Sequence, residues 1–231
     1  MRLLWSFLIV DPLIILSTIC CATVTAFASP PTQSAVARFW GKSLLKIARV
    51  RVITEGMEYL KPGIGYVFVS NHLSYMDTPV MLGTLPSDFR FLAKEGLFQI
   101  PFLGTHLKRA GHIAVPREDP RAALKTLSHA AKTMEKTSIL VFPEGGRSHN
   151  GELQPFEEGA AYLAIKAQAP LAPLALIGTR EVLPMGGAKF TAGTVKLKIS
   201  QPIITEGMTI KDRTDLNNCA RERIVEMLRT R

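Results

Sequence analysis

The chain has 231 residues, 47% of them hydrophobic and 20% charged, enough for one domain with a real core and too few for a second full one. Its formal net charge of +9 implies an acidic partner, either nucleic acid or an anionic membrane surface, and with 7% aromatic residues and no basic-aromatic stripe, zinc knuckle or helix-turn-helix cue, nucleic acid is disfavoured. Cys20, Cys21 and Cys219 have neither disulfide-framework nor zinc spacing, so free thiols in a reducing compartment are expected.

Residues 3–28 carry one charge, Asp11. A helix of that length, at about 1.5 Å per residue, exceeds the roughly 30 Å hydrocarbon core of a bilayer. Asp11-Pro12 divides it unevenly: aspartate suits an N-cap and proline the first helical position. The expectation is a bent or re-entrant membrane anchor whose main helix starts at Pro12, with residues 3–10 as a separate short piece. Ala26-Phe27-Ala28 resembles a signal-peptidase site. Against cleavage, only Arg2 precedes the apolar run, whereas Arg38, Lys42, Lys46, Arg49 and Arg51 follow it with no acid before Glu55. That bias predicts a retained anchor and a body on the cytoplasmic side. Arg38, Lys42, Lys46 and Arg49 are spaced to share one helical face, with Trp40, Leu44 and Ile47 opposite. Such a helix suits a lipid headgroup layer, and equally a surface helix packed on the domain by its apolar side. Residues 1–52 are therefore assigned to an anchor and basic helix, and 53–231 to a catalytic domain.

Apolar β-type runs recur at 66–70, 89–93, 112–115, 138–142, 172–177 and 195–199. Helical patterns lie between them, at 120–136 (opened by Asp119-Pro120), at 157–168 and at 212–229. Runs such as Ile139-Leu140-Val141-Phe142 are apolar on both faces. Such strands alternating with helices predict an α/β fold with a largely parallel central sheet flanked by helices. In sheets of this kind ligands bind beyond the carboxyl ends of the strands. Two polar clusters lie there: Asn71-His72-Leu73-Ser74-Tyr75-Met76-Asp77 after the 66–70 run, and Pro143-Glu144-Gly145-Gly146-Arg147-Ser148 after the 138–142 run.

His72 can serve as a general base near neutral pH, with Asp77 fixing its tautomer. Five positions apart within one helix would point the two about 140° away from each other. They meet only if His72 precedes a helix and Asp77 lies in its first turn, which Pro79 favours. Ser74 and Ser70 are conceivable nucleophiles of a Ser-His-Asp hydrolase, although no G-x-S-x-G elbow occurs. The alternative is a substrate that supplies its own hydroxyl. Gly145 and Gly146 leave backbone amides accessible to an anion, and Arg147 suits a phosphate. Lys108 and Arg117 form a third basic patch. His106, His112, His129 and His149 have no ligand spacing and are read as structural or exposed.

These residues resemble the glycerolipid acyltransferases, most closely the 1-acyl-sn-glycerol-3-phosphate (lysophosphatidic acid) acyltransferase family. N-H-x4-D at 71–77 is similar to its first motif and F-P-E-G-G-R-S at 142–148 to its third. Lys108, Gly111 and Arg117 resemble the second, Pro173 falls in the proline position of the fourth, and Lys94 lies in the Phe91–Glu95 segment whose lysine is near the active site. The resemblance runs from about residue 37 to about 205. It implies His72 as general base, Asp77 as its orienting partner, and direct attack of the acceptor hydroxyl on an acyl thioester. It further implies Glu144, Gly145 and Arg147 at the acceptor, Arg117 and Lys94 on its phosphate, and acyl-CoA or acyl-carrier protein as donor. Phosphatidic acid is the implied product, with no metal, no other cofactor and no nucleic-acid partner, at a membrane engaged by an N-terminal two-helix motif. Gly146 departs from the family's usual threonine, which bears on acceptor identity: another lyso-lipid or glycerol-3-phosphate stands as the alternative. A membrane-associated lipid hydrolase and a non-catalytic lipid binder are the readings from other classes.

Overall fold

The computed structural model describes residues 10–101, 103–116, 118–134, 137–187 and 190–230. It opens with two helices, α1 (Asp11–Phe27) and α2 (Pro30–Ile47). Gln33 Nε2 donates to Thr25 O (2.9 Å) and Trp40 Nε1 to Thr18 Oγ1 (3.0 Å). Residues further along α2 thus meet residues further back in α1, so the pair is an antiparallel hairpin. The expected cap at Asp11 does not form. Val10 already has helical angles (φ −68°, ψ −51°), whereas a capping residue needs an extended backbone, and α1 begins at Asp11 without a side-chain cap. The separate short piece expected before it falls almost wholly on residues 1–9, outside the described residues.

After α2 the chain turns at Arg49 in the left-handed region (φ 54°) and enters β1 (Val50–Glu55). The remaining strands are β2 (Val67–Ser70), β3 (Phe89–Lys94), β4 (Ile113–Val115), β5 (Ser138–Val141), β6 (Leu171–Ile177) and β7 (Gly193–Ile199). They form one sheet in the order β1-β7-β6-β2-β5-β3-β4. Every pairing is parallel except β6 with β7. The expected α/β architecture is present, with two differences from the sequence reading: β1 was not foreseen, and β7 runs antiparallel to its neighbour β6.

The helices between strands are α3 (Asp77–Thr84), α4 (Leu103–Arg109), α5 (Pro120–Lys132), α6 (Gly159–Ala167) and α7 (Thr179–Val182), with α8 (Arg213–Arg229) closing the chain. α5 starts as its sequence predicts: Asp119 accepts from the Arg121 and Ala122 amides and proline follows. It stops at Lys132, short of the expected 136. Side chains alternate between two cores. Phe68, Leu140 and Leu174 pack with α2 and α3 on one face, and Val67, Val69, Ile139 and Val141 pack with α5, α6 and α8 on the other. Leu44 and Leu45 of α2 belong to the first core, so the apolar side of the basic helix is a packing face. Gly41 and Gly83 let α2 and α3 touch: a Cβ on Gly41 would lie 2.9 Å from Pro79 O and 3.0 Å from Gly83 N. That close crossing seats α3, and with it Asp77, against the sheet.

Candidate active site

β2 ends at Ser70, and the next residue continues the ladder with its side chain. Asn71 Nδ2 donates to Leu176 O (2.9 Å) and Asn71 Oδ1 accepts from Leu176 N (2.7 Å). A side-chain amide thus replaces a peptide group and pins the departing chain to β6. His72 follows, almost buried at 8% exposure. Its N–H donates to Glu144 Oε1 (2.6 Å) and its carbonyl accepts from Ser148 N (2.9 Å). The two polar clusters are therefore stitched together through main-chain groups at the carboxyl ends of adjacent parallel strands, β2 and β5.

The side chain of His72 is held from both sides. Its ring stacks on Phe142 (centroids 3.9 Å, 11° between planes), and Nδ1 lies 2.7 Å from Asp77 Oδ2. That oxygen also accepts from the amides of Leu73 (2.7 Å) and Ser74 (2.9 Å). A carboxylate oxygen is an acceptor, so Nδ1 carries the proton and Nε2 keeps its lone pair. Asp77 is wholly buried in the first turn of α3, where the helix dipole favours its charge. This is the geometry the five-residue spacing required. Asp77 Oδ1 is buried without a hydrogen-bond partner among the described residues, so all three donors converge on the oxygen that faces the imidazole.

Glu144 does something the sequence did not suggest. Oε1 takes the His72 amide and Oε2 the Gln154 amide (2.8 Å), so each oxygen is engaged by the protein backbone. Burial pushes its carboxyl above the usual range, against the lowering effect of those two amides. The Gly145 amide is likewise engaged, donating to Phe142 O (3.1 Å), which removes it from the expected anion-binding pair. Gly146 is exposed, and a Cβ there would meet nothing within 4 Å.

Arg147 lies with its Cζ 4.0 Å from the centre of the Tyr75 ring, a cation–π contact that brings it beside the His72 loop. Its Nε is buried without a partner among the described residues. Lys94 is exposed at the end of β3. Phe91 and Phe68 both pair with Leu140, so Lys94 and Asn71, each three residues further on, stand level at the same edge of the sheet. With β5 between them, their strands are about 10 Å apart. Lys108 is exposed in the last turn of α4. Arg117 lies outside the described residues.

The other candidates have different tasks. Ser74 Oγ donates to Leu183 O (2.6 Å) and accepts from Met76 N (3.0 Å), and Ser70 Oγ donates to Asn71 O (3.1 Å). Neither hydroxyl donates to His72. His112 Nδ1 accepts from the Phe91 amide (3.0 Å), and burial, with His106 and Arg90, pushes its pKa down to about 3, as a structural histidine requires. His129 and His149 are exposed. Sequence reasoning gave no role to Asn71, Tyr75, Phe142 or Gln154. The first three lie inside the quoted motifs, so the aromatics that meet His72 and Arg147 were visible there.

A parallel sheet with a buried carboxylate–imidazole pair beyond β2 and an arginine loop beyond β5 describes a class, and comparison with known proteins agrees with it. The family model described as Acyltransferase matches residues 51–177, and the chain belongs to that family. It is similar to 1-acyl-sn-glycerol-3-phosphate acyltransferase alpha of Homo sapiens, 32% identical over 182 residues that cover 78% of this chain and 64% of that protein. It is also similar to the chloroplastic 1-acyl-sn-glycerol-3-phosphate acyltransferase BAT2 of Brassica napus, 36% identical over 139 residues, 59% of this chain and 40% of that one. The chain thus spans less than two thirds of the length of these curated relatives. Among solved structures it resembles the 1-acyl-sn-glycerophosphate (LPA) acyltransferase PlsC of Thermotoga maritima, with a TM-score of 0.81, 26% identity, and 100% and 99% of the two chains covered.

Proposed function

We propose that this protein transfers a fatty acyl group from acyl-CoA or acyl-carrier protein to the free hydroxyl of 1-acyl-sn-glycerol-3-phosphate, making phosphatidic acid. The observation that carries the reading is the His72 imidazole, fixed by Asp77 through Nδ1 at 2.7 Å with the Nε2 lone pair left for a substrate proton. Nε2 takes the proton of the acceptor hydroxyl as its oxygen attacks the thioester carbonyl. The carbon–sulfur bond breaks and the leaving thiolate receives the proton from the imidazolium. Asp77 holds the tautomer and offsets the charge that forms on the ring. Because the substrate brings the nucleophile, the engaged hydroxyls of Ser74 and Ser70 are no obstacle, whereas a hydrolase would need one of them. No resident metal or cofactor is required by this chemistry. Arg147 and Lys94, with Arg117, are the cations assigned to the acceptor's phosphate; the names of the similar proteins support that acceptor. Gly146 in place of the usual threonine keeps another lyso-lipid, or glycerol-3-phosphate, as the alternative.

The hairpin is assigned to the membrane. α1 turns Ile15, Leu16, Ile19 and Val24 to the outside, and Phe27 is 87% exposed at its end. So many exposed apolar side chains on one helix suit a lipid or protein contact. No helix among the described residues is long and apolar enough to cross a bilayer, so the proposed mode is a hairpin lying in one leaflet, with the body on the side of the basic residues. The experiment is acyl transfer in vesicles or detergent, offering oleoyl-CoA and palmitoyl-carrier protein with a panel of acceptors. Acylated lysophosphatidic acid, lost in His72→Ala, is the expected result. Preference for a different acceptor would replace the named substrate, and no transfer from either donor would overturn the reading.

A further inference from the structure

β3 delivers the chain into residues 95–109 at the same sheet edge as His72. There a 3-10 turn, Glu95–Gln99, and α4 fold onto one another. Phe98 turns inward and is buried. Gly104 sits so close above it that a Cβ would lie 2.1 Å from Phe98 O, so any side chain there would prise the two pieces apart. The outcome is a braced turn. On its outside are Leu97, Ile100 and Leu103, three residues apart and 41%, 45% and 41% exposed. Exposed Lys94 precedes them and exposed Lys108 and Arg109 follow, with Glu95 the sole acid from 94 to 109. Arg109 Nη2 donates to Ala28 O (3.2 Å), and α4 packs on α1. The turn is thereby tied to the tip of the hairpin, next to Phe27.

We propose that this braced turn is a second membrane-contacting element, built into the catalytic domain. Leu97, Ile100 and Leu103 enter the headgroup–acyl boundary of an anionic leaflet, while Lys108 and Arg109 meet the phosphates of the surrounding lipids and Lys94 stays at the mouth of the site. The inference rests on the reading that the hairpin engages the membrane. Two observations favour lipid over a protein partner: the turn is tied to the tip of the hairpin assigned to the membrane, and the basic frame complements an anionic surface. Because Lys94 is level with Asn71, the element would hold the mouth of the site at the depth of a lyso-lipid headgroup. The acceptor then reaches His72 without leaving the leaflet.

The test uses the full chain with phosphatidylcholine–phosphatidylglycerol vesicles containing brominated acyl chains. Leu97→Trp introduces an indole whose emission is compared with the parent chain. Leu124→Trp, at an exposed site on the other sheet face (42%), is the control. Vesicle flotation reads the hairpin separately. The expected result is flotation of all three proteins with a blue shift and bromine quenching of the indole placed at Leu97 alone. Flotation with no quenching there, or with equal quenching at both sites, overturns the second contact and leaves the hairpin reading intact. Failure to float overturns both. The triple variant Leu97→Ser, Ile100→Ser, Leu103→Ser should lose about tenfold in transfer to a long-chain, vesicle-embedded lyso-lipid and keep its rate on a short-chain monomeric one. Equal loss on both acceptors counts against the proposal.

Discussion

The role of Glu144 is open to a sharp test through Glu144→Gln. The wild-type carboxylate accepts one backbone amide on each oxygen, His72 N at 2.6 Å and Gln154 N at 2.8 Å. Glutamine keeps one acceptor and turns an NH2 group toward the other amide. Hydrogen bonds to a charged group are worth about 1.5–3 kcal/mol, and a buried amide left unpaired costs about 1–3 kcal/mol. If about 2 kcal/mol of this falls on the orientation of His72, kcat drops roughly 30-fold, at about 1.36 kcal/mol per tenfold. The fold should lose less than the rate does, because glutamine also removes the cost of burying a charge, the cost that raises the Glu144 pKa. The sign for stability follows from that direction. Between the ordinary glutamate value and the raised one, the native state holds a proton that the unfolded chain has released, so stability falls as pH rises through this window. Glu144→Gln should flatten that part of the profile and remove the matching acid limb from kcat. The assay is initial rates against lysophosphatidic acid concentration, separating kcat from KM, beside urea melts over a pH series. A positioning residue lowers kcat with KM nearly unchanged. An intact kcat with a raised acceptor KM would refute the reasoning and put Glu144 in contact with the acceptor; no change in either would show that the clamp does not orient His72.

Asp77→Asn should lower kcat by roughly 10²–10⁴-fold, the contribution of a positioned general base, because an amide cannot take three donors and hold the same tautomer; initial-rate kinetics on protein shown folded by circular dichroism checks this. Ser74→Ala should destabilise the fold by about 1–3 kcal/mol, leaving the Met76 amide and the Leu183 carbonyl without their partner, and leave activity per folded molecule unchanged. Loss of turnover at full stability would revive Ser74 as a nucleophile. Gly146→Thr should fold as well as the parent, since its Cβ points into open space, and one regained hydrogen bond of about 0.5–1.5 kcal/mol would lower the acceptor KM about two- to tenfold. A fall in melting temperature or a weaker acceptor would mean that the glycine serves the backbone.

The parts of this site legible in the sequence are those set by short spacing. His72 and Asp77 are five apart, and only the arrangement with the histidine before the helix and the aspartate in its first turn lets them meet, as they do at 2.7 Å. The meeting of the two clusters was inferable too, because parallel strands send their carboxyl ends to one edge. What was hidden is held by long-range contacts. β1 has only Val50 buried and pairs with β7, Val50 opposite Gly193, so its local pattern is weak and its partner lies far along the chain. The antiparallel course of β7, by contrast, had a local sign: Val195, Leu197 and Ile199 alternate with Lys196 and Lys198, a pattern more typical of antiparallel strands than the continuous apolar runs of a parallel sheet. The chain leaves α2 through a left-handed arginine, Arg49, where a glycine would have announced the turn.

The backbone contacts of Glu144 were hidden for a related reason. Its position beyond β5 is a property of sequence, but what its two oxygens face depends on where residues 72 and 154 come to lie. A motif can place a carboxylate at a site without saying whether it meets substrate or backbone. Here the amides stand at 2.6 and 2.8 Å, leaving Arg147 and Lys94 as the described groups through which an anionic acceptor would be held. On the proposed function, the carboxylates at this site orient the base and the cations hold the substrate.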